Sequence, residues 1–306
     1  MLTTSLGRTG LVVSRMGLGC GGHSRLGMAR GATSEEASRI VREAIDLGVS
    51  FIDTAEAYGT EEAVGLGIEG VPRESVVVST KIGLSSRPGG PSELRERLEG
   101  CLRRLRTEYV DVLHLHGVVS DEYAHARDVL RPEMVRLKEE GKIRHIGITE
   151  QFIPDPGHRM LSSAVEEGLW EVVMVGFNLL NPSARGRVLA KTQKNGVGTL
   201  CMFAVRRALG SSEALDEVLR QLEANGQIDP LGPDPLAFLT KGGTSLQEAA
   251  YRFCLWEPGI DVVLSGTGNV DHLRENARSL ETPALSAEAL ARLETIFGRV
   301  DSVTGN

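Results

Sequence analysis

Three apolar runs of the sequence end at residues that can hold or move a proton. Asp53, Lys81 and His116 each stand at or near the end of such a run, and Tyr58 follows shortly after the first of them. In an eight-stranded α/β barrel, reacting groups come from the carboxyl ends of several strands, because the βα loops open a pocket at that rim. The spacing of these four residues therefore predicts an enzyme.

The four side chains suit proton transfer to a carbonyl oxygen. A phenol has an unperturbed pKa of about 10, so a tyrosine acts as an acid near neutral pH only where its surroundings favour loss of the proton. We expect the Lys81 ammonium to favour it, Asp53 to hold Lys81 in place, and His116 to donate to the carbonyl oxygen. Tyr58 is then the general acid in reduction and the general base in alcohol oxidation.

The elements that must position these residues alternate between strand and helix. Strands are predicted at 15–19, 49–53, 75–80, 110–115, 143–148, 172–176, 197–202 and 261–264. Helices are predicted near 34–47, 60–69, 91–106, 126–140, 158–167, 182–195, 245–256 and 270–279. Nearly continuous Val, Ile and Leu in the strands is typical of a parallel sheet covered by helices on both faces. The pattern predicts a (β/α)8 TIM barrel with variable βα loops.

Residues 1–306 are interpreted as one barrel domain, with an N-terminal β-hairpin around Gly7 to Gly10. Thr33 or Ser34 is expected to cap the first helix. The segment 209–244, rich in Pro and Gly at its centre, reads as an irregular insertion after the seventh strand. Pocket walls are expected from the loops 23–33, 117–126 and 206–244.

Composition narrows the classes of partner. The formal net charge is −7, and no basic stripe supplies the charge that a nucleic acid needs. Arg206–Arg207 is interpreted as a solvated or local pair. The sequence shows no secretory leader and no apolar run long enough for a membrane span, so we expect a cytoplasmic protein with a small-molecule substrate.

The four cysteines lack a paired spacing and are expected to be buried free thiols. The oligomeric state stays open.

Ordered motifs carry a family resemblance over nearly the whole chain. They are Leu6–Ser14, Ile52–Gly59, Val78–Lys81, Tyr109–His116, Gly141–Thr149 and the pair Glu275–Asn276. Together they resemble the successive signatures of the aldo-keto reductases. The resemblance implies hydride transfer from a nicotinamide cofactor, and the family's catalytic tetrad falls on Asp53, Tyr58, Lys81 and His116 without a substitution.

The resemblance also implies where the nicotinamide would bind, with departures from the family pattern. Thr149 stands where relatives carry a serine, Glu150 where they carry an asparagine, and Met174 where they carry a glutamine. A carboxylate can accept from the carboxamide NH₂ but cannot donate to its oxygen. Met202 takes the position that packs on the ring. Further cofactor contacts are expected from Asn178, Phe203 and Val205.

At the adenosine end, the resemblance points to the loop after the eighth strand. Ser265, Gly266, Thr267 and Gly268 precede a helix whose N-terminus suits a phosphate group. Relatives that prefer NADPH carry Lys and Arg here, but this chain has Gly266 and His272, with Arg274 as the nearby cation. Glu275 and Asn276 complete the expected contacts. The cofactor is expected to be NADP, with NAD possible.

Two other patterns admit different interpretations. Gly17–Gly22 has the spelling G-x-G-x-x-G of a dinucleotide fold, but the following residues do not start a helix, as that motif requires. His114 and His116 share one face of a strand and could bind a metal. Further ligands are needed, and Glu150 is the nearest candidate, so no metal is predicted. His114 is expected to form a core hydrogen bond.

The sequence thus predicts an NAD(P)-dependent oxidoreductase that interconverts a carbonyl (aldehyde, ketone or sugar) and an alcohol. Two alternatives stay open. One is a nicotinamide-nucleotide-binding barrel with a regulatory or scaffold role and little turnover. The other is an aldolase-like barrel in which Lys81 forms a Schiff base. The physiological substrate and the direction of the reaction cannot be read from the residues.

Overall fold

The fold is known from a computed structural model, which describes residues 1–84 and 89–306. The chain opens with an antiparallel hairpin of β1 (Thr3–Ser5) and β2 (Val12–Ser14). Eight parallel strands then close into a barrel in chain order, which confirms the predicted fold class. They are β3 (Met16–Gly19), β4 (Phe51–Asp53), β5 (Val77–Gly83), β6 (Val110–Val118), β7 (Ile143–Glu150), β8 (Val172–Gly176), β9 (Gly198–Met202) and β10 (Val262–Ser265).

Helices lie between successive strands of the barrel and after the last strand. They are α1 (Ser34–Asp46), α2 (Glu61–Ile68), α3 (Pro91–Leu105), α4 (Ser120–His125), α5 (Arg131–Glu139), α6 (Arg159–Glu166), α7 (Ala190–Asn195), α8 (Arg207–Gly210), α9 (Ser212–Ala224), α10 (Leu246–Leu255), α11 (Val270–Ser279) and α12 (Ala287–Phe297). In the described parts of the chain, no helix is long and apolar enough to cross a membrane.

Apolar side chains pack on both the inner and the outer face of the barrel wall. One buried cluster lies inside the barrel and includes Phe51, Val112, Val172, Leu200 and Val262. A larger cluster joins the outer faces of the strands to the helices. Because each strand is buried on both faces, its residues are apolar almost without interruption. The rigid wall fixes the side chains at the carboxyl ends of the strands.

Local signals explain where several helices begin. The Thr33 side chain accepts from the Glu36 N–H while the Glu36 carboxylate accepts from the Thr33 N–H, a capping box that starts α1. Gly48 follows the end of that helix with φ of +87°, a conformation that favours glycine. Of the two residues predicted to cap α1, Thr33 is the one that does so.

The structure differs from the sequence prediction at two predicted segments and in one further helix. The segment 209–244 is partly helical, because Ser211 caps α9 and that helix buries Val218 and Leu222 on one face. The helix predicted at 126–140 begins earlier, with α4 joined to α5 through a π-helical turn at Ala126–Leu130. The helix α12 was not predicted.

Candidate active site

A buried ion pair forms the centre of the candidate site. Asp53 is the last residue of β4, and Lys81 lies on the neighbouring strand β5. Lys81 Nζ donates to Asp53 Oδ2 at 2.6 Å and to the Thr54 carbonyl oxygen at 2.7 Å. Ser79 Oγ donates to Asp53 Oδ1 at 3.0 Å. Each charged group is thus held by a partner of opposite charge and by a neutral hydrogen bond, as a buried pair requires.

Tyr58 and His116 complete the predicted tetrad at the same rim. The Tyr58 hydroxyl lies 3.4 Å from His116 Nε2, and the two rings meet edge to face with centroids 5.4 Å apart. Lys81 Nζ lies 4.8 Å from the centroid of the Tyr58 ring. The structure thus brings together all four side chains that the sequence singled out.

The surroundings set the protonation of these groups. Burial raises the pKa of Tyr58; Lys81 opposes this effect, as expected from the sequence, but is the smaller influence. Burial alone would lower the pKa of Lys81, but Asp53 and Tyr58 outweigh it and raise the pKa. Burial and the Lys81 charge lower the pKa of His116 to about 3. Near neutral pH, Tyr58 is a phenol and His116 is a neutral imidazole.

His114 is a neutral histidine of the barrel core. It is fully buried in β6, and neither ring nitrogen has a hydrogen-bond partner within residues 1–84 and 89–306. Burial and the charge on Lys81 hold the pKa of His114 well below its usual value. The imidazole is therefore neutral. The Ile148 backbone, whose hydrogen bonding opposes this shift, is the candidate partner for the predicted core hydrogen bond, although it does not meet hydrogen-bond distance and angle.

A cleft of about 350 Å³ opens above the tetrad. It is lined by the glycine loop after β3, by Asp53 and Tyr58, and by the segments that follow β9 and β10. A Cβ atom at Gly21 would lie 2.5 Å from the Tyr58 ring, so only glycine lets the first loop approach the tyrosine this closely. The G-x-G-x-x-G spelling therefore covers the barrel strand β3, which holds Gly17 and Gly19, and the loop after it, and does not mark a dinucleotide fold.

Two of the residues expected to contact the nicotinamide carboxamide, Thr149 and Glu150, already make hydrogen bonds within the protein. Thr149 Oγ1 accepts from the Gly117 N–H at 2.7 Å. The Glu150 carboxylate is buried, pairs with His158 Nδ1 at 2.9 Å, and accepts from the Gly176 N–H at 2.8 Å. Burial raises the pKa of Glu150, and His158 opposes the shift. Glu150 thus has a partner that the sequence analysis did not assign.

The other positions expected around the nicotinamide divide into two groups. Met174, Met202, Phe203 and Val205 line the cleft. The Asn178 amide instead donates to the carbonyl oxygens of Phe203 and of the C-terminal segment, at 3.2 and 3.1 Å, and its own oxygen accepts from two N–H groups of the following turn. These bonds use the whole hydrogen-bonding capacity of the amide. The structure therefore gives Asn178 a role in holding loops together.

At the predicted adenosine end, the loop after β10 is tightly packed. Gly266 and Thr267 line the cleft. A Cβ atom at Gly266 would lie 2.6 Å from the carbonyl oxygen of Gly19 at the end of β3, and one at Gly268 would lie 2.4 Å from the backbone nitrogen of Gly27 in the loop after β3. Ser265 Oγ accepts from the Asn276 amide at 2.9 Å. Glycine is therefore needed where the first and last βα loops meet.

The α11 residues expected to contact the nucleotide are exposed or already paired. Arg274 Nε donates to Glu43 of α1 at 2.8 Å, and its guanidinium lies 3.7 Å from Asp271. His272 and Glu275 are exposed on α11. Asn269 caps this helix, because its Oδ1 accepts hydrogen bonds from the N–H groups of Asp271 and His272. Arg274 would therefore meet a nucleotide phosphate while it shares its charge with Glu43.

Sequence reasoning missed two charged residues of the cleft, Arg206 and the exposed Arg207 beside it. Arg206, interpreted as part of a solvated pair, is half-buried and lines the cleft together with Tyr58. Its guanidinium lies 4.0 Å from the centroid of the Phe203 ring. The signal was its position in a loop already expected to form the pocket wall.

Two further features bear on cofactor chemistry. Within residues 1–84 and 89–306, no three His, Cys, Asp or Glu side chains are grouped to hold a metal ion. All four cysteines are buried free thiols, as the sequence predicts.

Comparison with known proteins places the chain in a family. The sequence profile of the Aldo/keto reductase family matches residues 15–297. L-galactose dehydrogenase of Arabidopsis thaliana is 28% identical over 312 residues, which cover 98% of this chain and 95% of the plant protein. The holo form of an aldo-keto reductase from Bacillus halodurans is similar with a TM-score of 0.75 and 24% identity, over 99% and 98% of the two chains. An aldo-keto reductase from Klebsiella pneumoniae in complex with NADPH gives a TM-score of 0.73 with 22% identity, over 99% of each chain. The chain belongs to the aldo/keto reductase family.

Proposed function

We propose that this protein is an NAD(P)-dependent oxidoreductase that interconverts a small carbonyl compound and its alcohol, with Tyr58 as the general acid and base. One observation carries the proposal. The Asp53–Lys81 ion pair, the Tyr58 hydroxyl and the neutral His116 ring meet at one rim of the barrel, and Asp53 and Tyr58 line the cleft there. Family membership supports the class of reaction.

The proposed mechanism assigns each side chain a task. A bound nicotinamide supplies the hydride. Tyr58 donates its proton to the carbonyl oxygen, and the Lys81 ammonium, 4.8 Å from the ring centroid, stabilises the phenolate that remains. His116, in the tautomer that carries a hydrogen on Nε2, donates to the same oxygen and orients it. In the reverse direction, the Tyr58 phenolate takes the proton of the alcohol.

We infer NADP as the cofactor, with NAD also accepted. The cleft runs from Tyr58 past Met202 to Gly266 and Thr267, which suits a nucleotide that extends from the tetrad to the loop after β10. Met174 and Met202 offer soft apolar contacts to a nicotinamide ring. The NADPH complex of the Klebsiella pneumoniae relative agrees with this assignment.

The experiment that tests the proposal is a panel of aldehydes, ketones and sugars, with the matching alcohols, assayed by nicotinamide absorbance with NADPH and NADH. We expect turnover of some members of the panel by the wild type and its near loss in Tyr58→Phe. Nucleotide binding without turnover across the panel would contradict the proposal and favour a scaffold role.

The Schiff-base alternative fits the geometry less well. A lysine nucleophile must lose its proton, whereas Lys81 is held by Asp53 and the Thr54 carbonyl, which favour the ammonium. Borohydride trapping in the presence of a carbonyl substrate tests this alternative. We expect no stable adduct at Lys81; such an adduct would contradict the assignment of Lys81 as a stabilising cation.

A further inference from the structure

Arg206 is a cation without an anionic partner inside the cleft. It follows β9 and lines the cleft together with Tyr58 and Met202. In the part of the chain that the structure describes, its side chain makes one hydrogen bond, from Nε to Asn306 Oδ1 at 2.8 Å, and no ion pair. Its two terminal nitrogens are therefore open to a ligand, and an arginine stays charged at any pH of interest.

The position of this guanidinium is built by its neighbours. It lies 4.0 Å from the centroid of Phe203, a residue with φ of +68°. A bulky residue in this left-handed region is strained, and such strain persists only where the surroundings fix the backbone. Here the Asn178 amide holds the Phe203 carbonyl, and Phe152 packs edge to face on the ring with centroids 5.3 Å apart. The stacked arginine is thereby preorganised for binding.

The charges around the cleft favour an anionic ligand. Asp53 is the one acidic side chain among the described residues that line it, and Lys81 neutralises that carboxylate. Arg206 and Arg207 add two positive charges in a chain whose formal net charge is −7. Burial lowers the pKa of Arg206, and a Tyr58 phenolate opposes this effect, so the two side chains lie within electrostatic reach of one another. An anion bound at Arg206 would belong to a molecule that also reaches the catalytic tyrosine.

We propose that Arg206 makes the cleft select carbonyl substrates that carry a carboxylate or phosphate group, by binding that group while the carbonyl oxygen lies at Tyr58. This proposal rests on the proposed function, because it assumes that Tyr58 marks the reacting end of the substrate. A planar guanidinium suits both kinds of anion, since it can donate two parallel hydrogen bonds. The nucleotide's own phosphates are the other anions that could meet Arg206, and the test separates the two sources.

The probes are 4-carboxybenzaldehyde and 4-formylbenzamide, which match in shape and differ in charge. We expect the wild type to favour the carboxylate by about ten- to a hundredfold in kcat/KM, the range for a charge-assisted hydrogen bond. Arg206→Met should reduce this ratio to near one, mainly through KM, and Arg206→Lys should retain part of it. Arg292→Met is the matched control, because Arg292 also stacks on a phenylalanine, at 4.2 Å from the Phe238 centroid, but on an exposed surface outside the cleft. It should leave the ratio unchanged.

Binding measurements separate this proposal from the proposed function. Calorimetric titration of both aldehydes into the NADPH complex of Tyr58→Phe, with and without Arg206→Met, gives the same ratio without turnover. The NADPH dissociation constant should change less than about twofold in Arg206→Met.

No preference for the carboxylate in the wild type, or a preference that survives Arg206→Met, would overturn the proposal. Weaker NADPH binding with an unchanged aldehyde ratio would also overturn it and assign the cation to the nucleotide phosphates. Lack of turnover with a retained binding preference would contradict only the proposed function.

Discussion

Asp53 and Lys81 illustrate how a buried pair acts as one chemical unit. Removing either partner leaves the other as an uncompensated buried charge, which costs ~3–5 kcal/mol of stability in other proteins. Both Asp53→Asn and Lys81→Met should therefore lower the free energy of unfolding and kcat/KM. The double variant should lose much less than the sum of the two single losses. A double-mutant cycle on both quantities checks this prediction, and additive losses would contradict the coupling.

The raised pKa of Tyr58 predicts opposite pH profiles for the two directions of reaction. Reduction needs the phenol, which is present throughout the neutral range, so its single-turnover rate should be flat from pH 6 to 8. Oxidation needs the phenolate, whose fraction rises tenfold per pH unit below the pKa, so its rate should rise through pH 9. His116 adds no acid limb in this range, because its pKa lies at about 3. A plateau in the oxidation rate below pH 9 would contradict this assignment.

At the residue scale, the sequence predicted the ionisable side chains that stand at or just after the end of a strand. Asp53, Lys81 and His116 could be placed because each lies at or near the end of an apolar run, and Tyr58 because it follows one of them. Partners that come together only through loop geometry could not be predicted. Glu150 with His158, and Arg206 over Phe203, depend on backbone conformations that side-chain type does not report.

Between β7 and α6, a buried hydrogen-bonded pair of side chains fixes one element to the next. Glu150 ends β7, and His158 stands immediately before α6 with φ of +60°. Both side chains are fully buried, and Phe152 stacks on the imidazole with centroids 5.1 Å apart. His158→Ala should therefore destabilise the protein by ~1–3 kcal/mol, because it leaves the buried Glu150 carboxyl without one of its hydrogen-bond partners. Arg159→Ala removes an exposed neighbour and is the control for denaturant unfolding; equal losses in the two variants would contradict the prediction.

The contact between α1 and α11 holds Arg274, the cation nearest the position predicted for the 2′-phosphate of the nucleotide. Arg274 is held by Glu43, an exposed pair of a kind worth ~0.2–1 kcal/mol. Freeing the arginine by Glu43→Gln should strengthen NADPH binding by up to about fivefold and leave NADH binding unchanged. Titration of both nucleotides into the wild type, Glu43→Gln and Arg274→Ala checks this. A gain that persists in the double variant Glu43→Gln, Arg274→Ala would assign the effect to another cation.

At the scale of elements, the eight strands and most helices follow from periodicity because burial on both faces leaves a clear apolar signature. The helix α9 did not follow, because the Pro-rich stretch after it masked a short amphipathic pattern. The π-helical turns at Ala126–Leu130 and Arg185–Leu189 also lie beyond simple patterns, since one inserted residue changes the turn without changing composition.

The whole molecule should lose stability as the pH falls, because it buries neutral histidines. The pKa of His116 is lowered to about 3 in the folded state, while the unfolded side chain binds its proton near its ordinary value of about 6.5. The stability from the neutral ring is fully present above the unfolded value and is lost as the pH falls below it. From pH 7 to 5 this one group should remove about 2 kcal/mol from the free energy of unfolding. Denaturant unfolding of the wild type and His116→Gln checks this, and an equal loss in both would contradict it.

The central claim is that Tyr58 gives the proton that completes hydride transfer. Single-turnover reduction with NADPH, measured in the wild type and in Tyr58→Phe, tests it most directly. The hydride-transfer rate should fall by ~10²–10⁴-fold, because a positioned acid contributes this much, while the dissociation constant for NADPH stays nearly unchanged. A variant that keeps more than about a tenth of the wild-type rate would contradict the role of Tyr58.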